Sequence, residues 1–328
     1  MKKLIRNIVA TLIGLVIFSA LLLMVLAGMT REKISAVPDK AMLVLDLSVP
    51  ISDKPLATTP RGIVDEMIYG TPMQSTPLFD LTQALESAAK DPRILGLYLH
   101  GNVASSGLMS GWAALKEVRK ALLSFKAGGK KIYACCSNYG EKDLYLASMA
   151  DPVCVDTLGN VEIDGFASQS MYFARAFQKY GIGIQVTRVG KYKSAVEPFL
   201  LEKMSPENRE QIENYLGDLY DIFLQGVAES RKIEINTLKS YANEKILFEG
   251  KDAVEAGLVD RAVYFDEVFE ELKTLTGVKE ADDSFAQISL SDYIKVVKDG
   301  DDRSKKGGKI AVIYAEGDIV DGDDDAQV

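Results

Sequence analysis

The stretch from residue 94 to residue 135, ILGLYLHGNVASSGLMSGWAALKEVRKALLSFKAGGKKIYAC, decides the fold. Residues 94–99 form a short apolar run typical of a buried strand, and residues 112–125 place apolar side chains at helical spacing. A Gly-Gly pair ends that helix, and residues 131–135 begin a second apolar strand. Strands that are joined by a helical crossover pair in parallel. The stretch therefore predicts an α/β fold built on parallel strands.

The same alternation of strand and helix continues on both sides of this stretch. Further strands are predicted over residues 42–47, 152–156 and 183–189, and further helices over residues 80–89, 143–149 and 170–180. Residues 50–77 are rich in Pro and Thr, and they are predicted to be an extended segment or lid.

A long amphipathic helix is predicted from Ser205 to residue 231. Ser205 suits the cap, Pro206 suits the first turn, and Glu207 complements the positive end of the helix. Residues 281–308 are polar and charged with glycines, which is the composition of a linker.

Composition narrows the classes of function. The chain has 328 residues, of which 47% are hydrophobic, so a sizeable core can form. It has 38 Lys and Arg residues against 47 Asp and Glu residues, and the net charge of −9 argues against nucleic acid as a partner. With one histidine, His100, and three cysteines, zinc fingers and iron–sulfur cages lack ligands. Cys136 could pair with Cys154, but both lie in apolar runs that favour core thiols.

The amino terminus predicts a membrane anchor. Residues 8–29 contain only two polar side chains, and a helix of this length reaches about 33 Å, enough to cross a bilayer. Three basic residues precede it without an acid, so the positive-inside rule places the start in the cytoplasm and the remainder outside. The alternative is a cleaved secretory signal, but its apolar centre is usually shorter, about 7–15 residues.

One loop differs in chemical character from the rest. Residues 186–200, VTRVGKYKSAVEPFL, bring Lys191 and Lys193 into a turn beside Ser194 and Glu197. A lysine in such a loop is ordinarily a surface charge. Only a neutral lysine could accept the proton of a Ser hydroxyl and so form a Ser–Lys dyad. The segment does not match a phosphate-binding loop, because Tyr192 rather than Ser or Thr follows Lys191. The lone histidine, His100, is interpreted as a packing residue.

Four segments carry a resemblance to a known family. They are GKYKSAVEPF at residues 190–199, DPRILGLYL at 91–99, YLASMADPV at 145–153 and IAVIYAEGDIVDG at 310–322. Together they resemble the long, duplicated form of signal peptide peptidase A. The resemblance implies a Clp/crotonase-like α/β domain in a membrane-anchored serine peptidase that degrades signal peptides remaining in the membrane. It also implies that Lys193 is the general base, that the Ser comes from a carboxy-terminal repeat, and that no metal or cofactor takes part.

The resemblance also implies a division of the chain. Residues 1–30 are expected to be the anchor, residues 31–300 the amino-terminal repeat, and residues 301–328 a linker with the start of a second repeat. Residues 310–321 indeed repeat the pattern of residues 42–53. A strand is predicted over residues 309–314.

Two departures from the family pattern concern the nucleophile and the oxyanion loop. Residues 139–145 place Lys142 near the position of the Ser, and residues 101–107 lack a Gly pair. We therefore expect this chain alone to be inactive.

The resemblance further implies hydrophobic peptide substrates, a homotetramer, and a single-pass protein of the bacterial inner membrane with its soluble domain in the periplasm. Two other functions stay open at this point. One is a non-catalytic, membrane-tethered scaffold of the same fold. The other is a crotonase-type acyl-CoA enzyme, which the predicted export anchor disfavours.

Overall fold

The computed structural model describes residues 14–15, 17–18, 36–54, 75–104, 110–279, 283–300 and 311–314. The chain divides into two compact units, residues 1–36 and residues 37–328. Of the five described residues of the first unit, residues 14–15 and 17–18 are helical and Ala36 is not. Across the described ranges, we find no helix that is both long enough and apolar enough to cross a bilayer. Apart from those four residues, the predicted anchor lies outside the described part of the chain.

A mostly parallel sheet forms the centre of the second unit. Its strands and those of a small second sheet are β1 (Ala41–Asp46), β2 (Ile51–Ser52), β3 (Thr76–Pro77), β4 (Ile94–His100), β5 (Lys131–Tyr139), β6 (Val153–Glu162), β7 (Leu247–Glu249), β8 (Arg261–Ala262) and β9 (Gln287–Ser289). In the main sheet the order is β7-β6-β5-β4-β1-β9, and β8 pairs with the start of β6. Only β7 runs antiparallel to its neighbour among the described strands of this sheet. The predicted α/β fold with parallel strands is confirmed.

The helices are crossovers that follow the strands. They are α1 (Leu78–Lys90), α2 (Trp112–Ala127), α3 (Glu141–Ala147), α4 (Ala174–Tyr180), α5 (Glu197–Leu200), α6 (Pro206–Arg231), α7 (Ile235–Glu244), α8 (Gly250–Glu255), α9 (Phe265–Thr276) and α10 (Leu290–Gly300). Helix α6 begins as predicted, because the Ser205 hydroxyl accepts the Asn208 backbone N–H at 3.1 Å.

The sheet is covered unequally on its two faces. Leucines of β1 and β4 pack with side chains of α1, α2, α3 and α6 in one large core cluster. The other face carries a smaller cluster, in which Met42, Tyr98, Cys135 and Cys154 pack against side chains of α9. This second face is more open, and His100 stacks on the ring of Tyr98 there, with the ring centroids 5.4 Å apart.

Residues 281–308 were predicted to be a linker, but residues 283–300 of this segment are part of the folded domain. Ile288 of β9 is buried, and β9 pairs in parallel with β1, with Leu43 opposite Ile288. Helix α10 follows, and the Tyr293 hydroxyl donates to Asp91 Oδ2 at 3.1 Å. This segment is therefore an edge of the domain, and its polarity reflects an exposed outer face.

Two predicted strands are absent. Residues 183–189 form no strand, although they are rich in β-branched side chains, because no neighbouring strand pairs with them and their side chains are mostly exposed. Of the strand predicted over residues 309–314, the described residues 311–314 are exposed and form no strand. The rest of that segment, and residues 55–74 of the predicted lid, lie outside the described residues.

Candidate active site

The carboxyl ends of β4 and β5 meet the start of α3 at one edge of the sheet. β4 leads into residues 101–104, and β5 leads through Gly140 into the first turn of α3. Gly101 has a φ of +80°, and a Cβ there would lie 2.2 Å from Asp46 Oδ1, so glycine is required. Loops at the carboxyl ends of parallel strands are the usual location of sites in α/β folds.

The carboxylate of Asp143 joins these two loops. Its Oδ1 accepts the Val103 backbone N–H at 2.6 Å, and its Oδ2 accepts Asn102 Nδ2 at 2.8 Å and the Gly140 N–H at 3.0 Å. The side chain is only 2% exposed. Burial raises the pKa of Asp143 and outweighs the opposing effect of the backbone donors Val103 and Gly140. Among the described residues, the Val103 and Gly140 N–H groups are thus already bonded to a carboxylate and cannot also bind an oxyanion.

Lys142 occupies the position where the resemblance expects a nucleophile. Its Nζ donates to the carbonyl oxygen of Ser110 at 3.0 Å. Ser110 is buried and its hydroxyl accepts the Ile51 N–H at 3.1 Å, which is a structural bond between loops. Residues 105–109, the rest of the predicted oxyanion loop, lie outside the described residues.

Lys193 lies on a long excursion between β6 and α6, residues 164–204, which we call the arm. The arm contains α4, a 3₁₀ turn from Ser194 to Val196, and α5. Every residue of the arm is described, and only Glu197 among them is buried. Large apolar side chains stand exposed along it, at Met171, Phe173, Tyr180, Ile182, Ile184, Val189, Tyr192, Phe199 and Leu200. An apolar surface of this extent indicates contact with another protein surface.

The buried carboxylate of Glu197 fixes the arm to the start of α6. It accepts the Ser205 hydroxyl at 2.5 Å, the Ser205 N–H at 3.2 Å and Asn208 Nδ2 at 3.1 Å, and Arg188 Nη1 lies 3.8 Å away. Burial raises the pKa of Glu197, but the hydrogen bonds from Ser205 and Asn208 and the charge of Arg188 together hold it below its usual value. The hydrogen bonds of Glu197 therefore fix the turn that carries Lys193, four residues earlier in the chain.

The Lys193 side chain itself is exposed. Its backbone carbonyl accepts Arg188 Nη1 at 3.0 Å, while its ammonium has no hydrogen-bond or ion-pair partner among the described residues. The neighbouring Lys191 lies 3.8 Å from Glu207. The described residues therefore do not give Lys193 the burial that a neutral lysine needs.

Sequence reasoning did not single out Asp143 or Glu141, and it named Glu197 without giving it a role. Asp143 stands three residues after Gly140 at the start of a helix, which is the spacing of a capping acid and a usable signal. Glu197 gives no comparable signal, because its burial depends on Asn208 and Ser205 of the next helix.

Glu141, in the first turn of α3, holds the beginning of the arm. Its Oε1 accepts the backbone N–H groups of Asp164 and Gly165, each at 2.9 Å. Burial, and then a hydrogen bond with the Asp164 side chain, raise the pKa of Glu141 to about 7 against these backbone donors. The folded state therefore binds this proton more tightly than the unfolded chain, in which Glu titrates near 4.5. The stability contributed by the group is complete below pH 4.5 and is lost as the pH rises through about 7.

Replacing Glu141 with Gln is expected to stabilise the protein above pH 7. The amide keeps the acceptor for both N–H groups and stays neutral, so the gain at pH 8 should be roughly 1–2 kcal/mol, reduced by solvent screening, with little change at pH 4.5. Urea unfolding at both pH values measures it, with the exposed Glu162→Gln as the matched control. A gain that is the same at both pH values would contradict the assignment.

Part of this chain is similar in sequence to known peptidases. Residues 124–279, which contain α3 and the whole arm, match the family model described as peptidase family S49. The match covers 156 of the 328 residues, a little less than half of this chain. The chain is 31% identical over 299 residues to "Protease 4" of Salmonella typhi, covering 87% of this chain and 46% of the relative. It is 32% identical over 256 residues to "Protease 4" of Haemophilus influenzae, covering 76% of this chain and 41% of the relative.

A plant relative is similar to the same degree. The chain is 31% identical over 264 residues to "Serine protease SPPA, chloroplastic" of Arabidopsis thaliana, covering 80% of this chain and 38% of the relative. The chain thus spans less than half the length of each of these three S49 relatives. This is the ratio expected if the relatives carry a duplicated domain.

Proposed function

We propose that this chain is the general-base half of a membrane-bound S49 serine endopeptidase with a Clp/crotonase-like fold. Lys193 is the base of a Ser–Lys dyad, and the nucleophilic Ser lies on a carboxy-terminal repeat outside residues 1–328. The substrates are signal peptides that remain in the membrane after cleavage. One observation carries the proposal: an exposed lysine is fixed on an apolar arm, in a chain whose Val103 and Gly140 N–H groups are bonded to Asp143.

Covering of the arm is the step that turns Lys193 into a base. When the apolar side chains of the arm pack against a repeat that carries the Ser, they remove water from the ammonium. Desolvation favours the neutral amine, which then accepts the proton of the Ser hydroxyl as the oxygen attacks a peptide carbonyl. Backbone amides of the Ser-bearing repeat stabilise the oxyanion, and water later releases the acyl group with the same lysine as the base.

The location and assembly belong to the same proposal. Residues 8–29 anchor the protein in the bacterial inner membrane with the arm on the periplasmic side, near the peptides to be degraded. The resemblance implies a homotetramer, and a closed ring of subunits would leave no arm uncovered. Extended hydrophobic peptides bind by strand addition.

Labelling with a fluorophosphonate tests the function. The protein that extends beyond residue 328 should react at one Ser in its carboxy-terminal repeat and hydrolyse an apolar peptide ester, whereas residues 1–328 alone should do neither. Peptide mapping identifies the labelled residue. A label on a Ser within residues 1–328 would contradict the proposal.

The rival function is a non-catalytic scaffold tethered to the membrane. Asp143 favours the scaffold function, because its carboxylate accepts the Val103 and Gly140 N–H groups. While these bonds are made, the two N–H groups cannot bind an oxyanion. The same experiment separates the two functions, because a scaffold gives no label and no hydrolysis in the extended protein.

A further inference from the structure

Two cysteines stand side by side on the more open face of the sheet. Cys135 of β5 and Cys154 of β6 are direct partners in the parallel register, and both side chains lie in the small core cluster under α9. The two thiols are free, and the register of β5 and β6 places their residues side by side. Neighbouring strands are about 4.8 Å apart, and a disulfide bridges Cα atoms that are roughly 4.4–6.8 Å apart. The backbone therefore already has the spacing of a disulfide.

We propose that Cys135 and Cys154 are a modification site, at which a peroxide converts the thiol pair into a disulfide. The third cysteine takes no part, because Cys136 points to the opposite face of the sheet, where its thiol lies 2.9 Å from the Gly101 carbonyl oxygen. The sequence had left a pairing of Cys136 with Cys154 open, and the alternation of side chains along β5 excludes it.

A guanidinium lies next to the pair. Arg261 of β8 is the register partner of Cys154, and its Nη2 lies 3.5 Å from Cys154 Sγ. Its Nη atoms also bind Glu271, whereas its buried Nε has no partner among the described residues. The hydrogen bond from Cys135 lowers the pKa of Cys154, burial opposes this, and Arg261 adds to the lowering. The Arg261 guanidinium thus favours a thiolate at Cys154, whereas the neighbouring Cys154 and then burial raise the pKa of Cys135.

Both cysteines are fully buried, and the groove nearest to them approaches from the side of Cys135. A groove of about 650 Å³ opens beside α9 and is lined by Cys135, Tyr98, His100, Ser137, Phe265 and Phe269, among others. Cys154 lies behind Cys135, in the same cluster. Hydrogen peroxide fits this groove and needs only a small movement of the groove wall to touch Cys135, whereas a protein oxidant cannot reach either buried sulfur.

The chemistry balances with the peroxide as the only oxidant. The proton of the Cys135 thiol moves to the Cys154 thiolate, and the Cys135 thiolate attacks one peroxide oxygen, which breaks the O–O bond and yields a sulfenic acid and hydroxide. The Cys154 sulfur then attacks the sulfenic sulfur, the S–S bond forms, and the second oxygen leaves as water. Two thiols and one peroxide become one disulfide and two waters, once the hydroxide takes up the proton that the pair had released.

Peroxide treatment of residues 1–328 tests the inference. After treatment, unfolding and alkylation, the count of free thiols should fall from three to one. Trypsin separates residues 132–142 from residues 143–175, so the disulfide appears as a cross-link of these peptides that lacks two hydrogens. The bond closes a loop of about 20 residues and should raise Tm by about 5 °C until a reductant is added.

Two variants identify the sulfurs. Cys136→Ser should form the same cross-link, because Cys136 lies on the other face. Cys154→Ser should form none and should leave a sulfenic acid on Cys135 that dimedone captures. Three free thiols after treatment, a cross-link that needs Cys136, or a cross-link only between two chains would each overturn the proposal.

Discussion

Replacing Lys193 with Met in the protein that carries both repeats is expected to lower the rate of peptide ester hydrolysis by about 10³-fold or more. Methionine matches the length of the lysine stem but accepts no proton, so the Ser hydroxyl loses its activating group. Because Lys193 is exposed and its ammonium has no partner among the residues described, the substitution should leave the folding of this chain unchanged. The measurement is kcat/KM with equal Tm in both proteins.

The matched control is two residues away on the same turn. Lys191→Met removes an equally exposed ammonium, whose ion pair with Glu207 is long and solvated, so activity should stay within about twofold of the parent. If Lys193→Met hydrolysed the ester as fast as Lys191→Met, the dyad would have to use another base.

Replacing Arg119 with Met is expected to destabilise the protein by about 3–5 kcal/mol. The guanidinium is buried between α2, α3 and α6, where it donates to the carbonyl oxygens of Tyr145 and Gly226, to Ser148 Oγ at 3.0 Å and to Ser230 Oγ at 2.6 Å. It also lies 4.7 Å from the centre of the Tyr145 ring. Methionine fills much of the volume but removes the guanidinium donors from the Tyr145 and Gly226 carbonyl oxygens and from the Ser148 and Ser230 hydroxyls. Urea unfolding at pH 7 measures the change in the free energy of unfolding.

The neighbouring Lys120 provides the comparison. Its side chain is 77% exposed and 3.8 Å from Glu117, so Lys120→Met should change the free energy of unfolding by less than about 0.5 kcal/mol. A loss below about 1 kcal/mol in Arg119→Met would show that the three helices are held by apolar packing alone.

The fold was predictable from the sequence wherever apolar runs were continuous. β4, α2 and β5 were found because a parallel strand buried on both faces and a crossover helix have distinct patterns. β9 and α10 were missed because an edge strand of three residues has one buried side chain, Ile288. The helical spacing of Leu290, Tyr293, Ile294 and Val297 was nevertheless available as a signal. Conversely, residues 183–189 have strand composition but no partner strand, and composition cannot supply one.

The candidate site was predictable only in part. Lys193 and the segment of residues 139–145 followed from a family resemblance, whereas the carboxylate bonds of Asp143 depend on where β4 and β5 end in space. The environment of Lys193 in the complete protein depends on atoms of another repeat, and no pattern within the arm encodes them. The prediction that Lys193 is the base therefore stays a prediction.

Asp143 also sets how many inhibitor molecules the complete protein should take up. A boronate that mimics a tetrahedral adduct would meet, in this repeat, a tethered anion already bound to Val103, Gly140 and Asn102. A tethered competitor acts at a very high effective concentration. Binding is therefore expected to saturate at one boronate for each pair of repeats. The number of reactive centres would then be half the number of repeats.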